Sequence, residues 1–159
     1  IELAETLVKL LIQSGHRVVL HSDYYVFLKQ HLPLEPKMPV FTSHEEISSD
    51  IDFLFSIGGD GTLLDTVSLV KDSKIPVVGV NAGRLGFLSS VSRENLEFAI
   101  DSLAKGHYST DARTLLRVES NFPIFEGQNI ALNEFTIHKK ETSSTVSYTH
   151  LTLPTSDLV

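Results

Sequence analysis

The chain contains no cysteine. Disulfides and thiolate metal sites are therefore excluded. It also lacks any run of 18 or more apolar residues, so no transmembrane helix is expected. No Lys/Arg cluster is present, and 13 basic residues stand against 20 acidic ones, for a net charge of -7. Duplex nucleic acid is gripped by a basic face or stripe, so nucleic acid is not an expected partner. Acidic balance leaves small anions open as ligands, because main-chain N–H groups bind phosphate without a basic patch. The N-terminus shows no basic region followed by an apolar core and a small-residue cleavage site. The default expectation is a soluble cytoplasmic protein. The chain has no initiator Met and opens inside a helix pattern, so its true start is expected upstream of Ile1.

What is present is a globular composition. The chain has 159 residues, 42% of them hydrophobic, enough for one core and part of a second. Leu3, Leu7, Leu10 and Leu11 recur at helical spacing and predict a helix over 2–14, stopped by Gly15. Arg17 to Leu20 reads as a short strand, 24–31 as a helix, and the three prolines of 32–39 as a loop. Ser43 and Glu46 have capping-box spacing. Ile51 to Ile57 is a largely apolar run ending in glycines, the pattern of a buried parallel strand. Leu63, Leu64, Val67 and Val70 predict a helix over 62–72, with Lys71 and Lys74 suited to its C-terminal end. Ile75 to Val80 is a second apolar strand. Ser92 opens a helix carrying Leu96, Ile100 and Leu103, which stops at Gly106. From about residue 111 the pattern turns to strands, at 115–119 and 129–138.

The segment Gly58-Gly59-Asp60-Gly61-Thr62 carries the chemistry. It lies at the carboxyl end of a parallel strand, where open α/β sheets bind ligands. Glycines without Cβ permit unusual dihedrals and close approach of a ligand. The helix that follows aims its first N–H groups at the turn, which favours phosphate. Gly58, Gly59, Gly61 and Thr62 are thus the candidate phosphate ligands, with Thr62 able to cap the helix or donate its hydroxyl. Asp60 is the odd group: a carboxylate among anion-attracting groups faces a hydroxyl or a magnesium ion more usefully than a bare phosphate. The plain alternative is a structural turn in which Asp60 caps the helix. No Gly-Lys-Ser/Thr follows, so the turn is not a Walker A loop, and it is not a Gly-x-Gly-x-x-Gly dinucleotide fingerprint. No His-x-His or His-x-x-x-His spacing suggests a metal cage, so no metal ligand is assigned.

Ser56 to Leu64 resembles the signature of NAD kinases, whose Gly-Gly-Asp-Gly core is shared across the phosphofructokinase and diacylglycerol kinase superfamily. Gly79 to Leu88 (GVNAGRLGFL) is similar to the Asn-x-Gly-x-Leu-Gly-Phe-Leu segment of NAD kinases, and Ala131 to His138 (ALNEFTIH) to their Asn-Glu segment. The resemblance covers about residues 2–140. It implies an α/β fold: a Rossmann-like parallel-sheet domain over 1–110, then the first strands of an all-β domain over 111–144. It implies transfer of the terminal phosphate of ATP, or of polyphosphate in some relatives, to the 2′-hydroxyl of the adenosine ribose of NAD. Asp60 matches the proton acceptor at that hydroxyl and Gly61 a neighbouring NAD contact. Asn133 and Glu134 match the pair holding the NAD ribose region, and Phe87 an aromatic along the adenine. ATP and NAD are the implied partners, with Mg2+ or another divalent ion bound through phosphates and water. A homo-oligomer is implied for the full-length protein.

The family pattern continues with an Asp-Gly element and a Thr-Pro-Thr-Gly-Ser-Thr-Ala-Tyr stretch, and neither is present. The family's first strand would precede Ile1. Val146 to Thr155 resembles translated sequencing-adapter sequence, so 145–159 is expected to be a non-native tail. The fragment is therefore expected to be inactive alone. Two other functions fit parts of the pattern: a lipid or sugar kinase of the same superfamily, and a non-catalytic dinucleotide sensor. Asn81, Arg84 and Arg113 have plain readings as a turn residue, a solvated loop cation and a salt-bridge partner.

Overall fold

The computed structural model describes residues 2–31, 34, 38–47, 50–83, 88, 91–122 and 129–132. Helix α1 spans Glu2–Gln13, with Glu2 and Glu5 in its first turn, where acidic charge suits the helix dipole. Gly15 ends it at φ +79, a left-handed conformation that favours glycine. A two-residue strand β1 (Leu20–His21) follows, then α2 (Ser22–Lys29) and β2 (Val40–Phe41). The strand expected from Arg17 is thus only its last residue plus His21. β2 was not legible: two residues carry no period, and only pairing with β1 defines them.

Ser43 opens a 3₁₀ turn over His44–Glu46, but its side chain makes no cap. The expected capping box does not form. Glu46 Oε2 accepts from the N–H of Thr42 at 2.7 Å and from its hydroxyl at 2.8 Å.

Strand β3 (Leu54–Gly58) leads into α3 (Asp60–Asp65), α4 (Val67–Val70) and β4 (Val77–Asn81). β3 and β4 pair in parallel from Leu54↔Val77 to Gly58↔Asn81. The single helix expected over 62–72 starts two residues earlier and breaks at Thr66. The reason is local: the carbonyl of Leu63 accepts both the N–H and the hydroxyl of Thr66, at 3.1 and 2.6 Å. That three-residue bond tightens the turn and interrupts the four-residue ladder. Lys71 follows α4 at φ 43, and its ammonium pairs with Glu45 rather than continuing a helix.

A 3₁₀ turn over Arg93–Asn95 precedes α5 (Leu96–Ala104), and Gly106 closes it at φ +72. Beyond it, β5 (Leu116–Arg117) and β6 (Ile130–Ala131) pair antiparallel, so the strand type changes where the composition does.

Helix α1 joins the two parallel pairs. Its Leu3 and Leu7 pack with Val80, Leu96 and Ile100, against which Phe55 and Ile57 also lie. Its Ala4 and Val8 pack with Leu20 and Leu28. Full burial of one such leucine contributes about 1.5–3 kcal/mol. A cavity of about 1020 Å³ separates the two pairs, lined by 16–21 on one side and 50–57 on the other.

Candidate functional site

The paired ends of β3 and β4 build the site. Gly58 and Asn81 are partners in the ladder, so both parallel strands end at the same edge. The N–H of Ala82 then donates to the carbonyl of Gly58 at 3.1 Å, drawing the two departing segments together. This is the carboxyl-end position where α/β sheets bind ligands.

The turn's glycines act differently from the expectation of unusual dihedrals. Among the described residues, positive φ at glycine occurs only at Gly15 and Gly106. Gly59 is extended, at φ -102 and ψ -168, and serves as the N-cap of α3. Gly58 is required by space instead: a Cβ there would stand 2.7 Å from Cβ of Thr62, and closer still to its Oγ1. At Gly59 and Gly61 a Cβ would meet nothing within 4 Å. Those two positions leave the main chain open to approach.

Asp60 is the first residue of α3, not its cap. The structural alternative, in which Asp60 caps the helix, is therefore replaced by another contact. Asp60 Oδ1 accepts the main-chain N–H of Leu88 at 3.0 Å, across 28 residues of sequence. Thr62 stands inside the helix and does not cap it. The first intrahelical bond runs from the N–H of Leu63 to the carbonyl of Gly59, at 3.2 Å. The N–H groups of Asp60, Gly61 and Thr62 come before that bond, at the positive end of the helix. Gly59, Gly61 and Thr62 are exposed, and Asp60 is half-buried.

Asn81 is buried, and its Oδ1 accepts the N–H of Gly83 at 2.7 Å. That is an Asx turn, in agreement with its plain reading. Arg113 pairs with Asp111 on the surface, which contributes little. Phe87, Arg84, Asn133 and Glu134 lie outside the described residues, as does the tail 145–159. The structure thus brings Gly58, Gly59, Asp60, Gly61 and Thr62 together with Leu88 and Asn81. Leu88 was missed as a site residue because a main-chain donor leaves no mark in side-chain identity.

The large cavity between the strand pairs includes Ser56, Thr62 and Thr66 in its wall but not Asp60. Its other walls combine apolar side chains such as Leu7, Leu11 and Ile100 with charged ones such as Arg17, Glu46 and Asp52. A smaller one of about 220 Å³ adjoins Asn81, Ala82 and Gly83. Among the described residues no group of three or more His, Cys, Asp or Glu could hold a metal ion, and no helix is long and apolar enough to cross a membrane.

Parallel strands ending in a glycine turn that caps a helix define an α/β domain with an open helix N-terminus at the carboxyl end of its strands. Residues 1–108 match the ATP-NAD kinase N-terminal domain, and the chain belongs to that family. It is 34% identical to the NAD kinase of Flavobacterium psychrophilum over 137 residues, covering 85% of this chain and 47% of the relative. Identity to the Bacteroides fragilis NAD kinase is 37% over 144 residues, covering 91% and 49%. Among solved structures, yeast NADH kinase complexed with NADH matches with a TM-score of 0.60 and 25% identity. That match covers 73% of this chain and 37% of the yeast chain. The chain spans about half the length of the curated relatives it matches.

Proposed function

We propose that the full-length protein is an NAD kinase, and that this chain supplies its phosphate-handling half. The terminal phosphate of ATP, or of polyphosphate, passes to the 2′-hydroxyl of the adenosine ribose of NAD, giving NADP. The observation that carries this reading is the half-buried Asp60, whose carboxylate accepts from Leu88 beside the exposed residues Gly59, Gly61 and Thr62 at the end of β3. The family membership and the NADH in the yeast structure support the same acceptor.

In the reaction a bond forms between the ribose oxygen and the γ-phosphorus while the bridge to the β-phosphate breaks. The transition state is loose, so positioning and charge stabilisation dominate. Asp60 orients the attacking hydroxyl and takes its proton late, because a carboxylate is a weak base for an alcohol. The N–H groups of Asp60, Gly61 and Thr62 face developing charge on the phosphoryl oxygens. The turn offers main-chain donors and one carboxylate. That set fits Mg2+ or another divalent ion held through phosphate oxygens and water, which would offset the donor's charge. Gly61, Phe87, Asn133 and Glu134 are assigned to the NAD side. A cytoplasmic homo-oligomer is the proposed setting.

The test is Asp60→Asn in the full-length enzyme. Turnover should fall by about 10²-fold or more, the scale of general base catalysis, while NAD still binds in calorimetry. Normal turnover would sink the kinase assignment of Asp60 and favour a dinucleotide sensor. Diacylglycerol and fructose phosphate, offered as acceptors, should remain unphosphorylated.

A further inference from the structure

The contact between Asp60 and Leu88 has no counterpart in the two motifs read separately. One motif supplies a carboxylate at the first position of α3. The other, 28 residues on, supplies a main-chain N–H that reaches Oδ1 of that carboxylate at 3.0 Å. The described residues on both flanks of Leu88 are bonded to the β3–β4 pair. Before it, Ala82 donates to the carbonyl of Gly58, and Gly83 donates to Asn81 Oδ1. After it, Val91 pairs beside β4: its carbonyl accepts the N–H of Asn81 at 2.8 Å, and its N–H donates to Gly79 at 3.0 Å. The described residues on either side of the donor are thus both tied to β4.

We propose that the main-chain N–H of Leu88 is a positioning group for Asp60. An aspartate at the start of a helix has several staggered side-chain orientations open to it. One N–H with a fixed location selects among them, and a charge-assisted bond of this kind is stronger than a neutral one. A carboxylate has about four lone-pair sites, more than this one bond uses. Leu88 touches no reacting atom in this scheme. It acts through Asp60, and it explains in physical terms why the two glycine-bearing segments belong to one site. The proposal rests on Asp60 being the group that meets the hydroxyl. Its structural half, that Asp60 holds the Leu88 amide, is independent of any chemistry.

That half is tested by hydrogen exchange at the Leu88 amide in the 159-residue chain labelled at leucine and valine nitrogen, with the Val91 amide as internal reference. Asp60→Ala should speed exchange at Leu88 by about tenfold or more, as loss of a charged acceptor implies. Asp60→Asn keeps a carbonyl oxygen and should stay within about threefold of the parent. Equal rates in the parent and Asp60→Ala would overturn the contact. The positioning role is tested by Leu88→Pro in the full-length enzyme, since proline has no N–H. Expected is a fall in kcat of about 10–100-fold, the scale of a misplaced catalytic group, with KM for ATP unchanged. An unchanged kcat, or a matching rise in KM for ATP with kcat intact, would overturn it. Should Leu88→Pro fail to fold by circular dichroism, Asp60→Glu decides. Its carboxylate is kept but displaced by one methylene, so the proposal requires both faster Leu88 exchange and a lost kcat. Retention of both would overturn it. Loss of turnover in Asp60→Asn with slow Leu88 exchange retained would support both readings. Normal turnover there with exchange unchanged would remove the kinase role and leave the contact standing.

Discussion

Thr62 stands over Gly58: a Cβ placed on Gly58 would lie 2.7 Å from Cβ of Thr62 and 3.1 Å from its Cγ2. The last residue of β3 must therefore be glycine because of what α3 places above it. The neighbouring glycines are under no such constraint, since a Cβ at Gly59 or Gly61 meets nothing.

That difference separates stability from function along three glycines. Gly58→Ala forces Thr62 and its backbone to shift, and should destabilise the chain by about 1–3 kcal/mol. Gly61→Ala lies within α3 and should be neutral or stabilising by up to about 1 kcal/mol. If the open approach to Gly61 serves a ligand, the same change should raise KM in the full-length enzyme. Urea denaturation and steady-state kinetics on the two variants check both halves. Equal stability losses at Gly58 and Gly61 would contradict the steric account.

Ser56 presents a second test. Its side chain is buried in the middle of β3, opposite Gly79, and its hydroxyl finds no hydrogen-bond partner among the described residues. An unpaired buried hydroxyl costs about 1–3 kcal/mol. Ser56→Ala should therefore leave stability unchanged or raise it, by up to about that amount. Thermal melting that shows a clear loss would mean that the hydroxyl is paired in solution.

Acid should weaken the 42–46 turn. The side chain and then the main chain of Thr42 hold the Glu46 carboxyl below the usual carboxylate range. A lowered folded value means that this contribution is present above the unfolded value and is lost as pH falls through the folded one. The loss begins near the ordinary Glu value of about 4.3 and completes below it. Glu46→Gln should flatten that part of the stability–pH curve, measured by urea midpoints. Glu2 responds in the same direction, because Arg93 lies 2.9 Å away, so the double change with Glu2→Gln should flatten it further.

Much of the fold was legible where one residue type dictates one backbone state. Gly15 and Gly106 end their helices in the left-handed region that glycine favours. The apolar runs before Gly58 and Asn81 became the parallel pair β3 and β4, though β3 starts at Leu54 and buries only Ser56 where a buried strand from Ile51 was expected. Where competing local bonds decide, the sequence pattern was not enough. Thr66 splits a helix that its apolar spacing would carry through, and Glu46 reaches Thr42 instead of Ser43.

For the candidate site the division is sharper. The sequence by itself determined the chemistry: a carboxylate among glycines, at the end of an apolar strand and the start of a helix. These are properties of residue identity and order. Only the tertiary structure decided how that carboxylate is held and why Gly58 is glycine. Both depend on atoms brought together by folding: the Leu88 N–H from 28 residues away, and the Thr62 side chain returned over the strand by one turn of α3. A main-chain donor is the same in every residue but proline, so its partner is set by where the chain runs and not by what it spells.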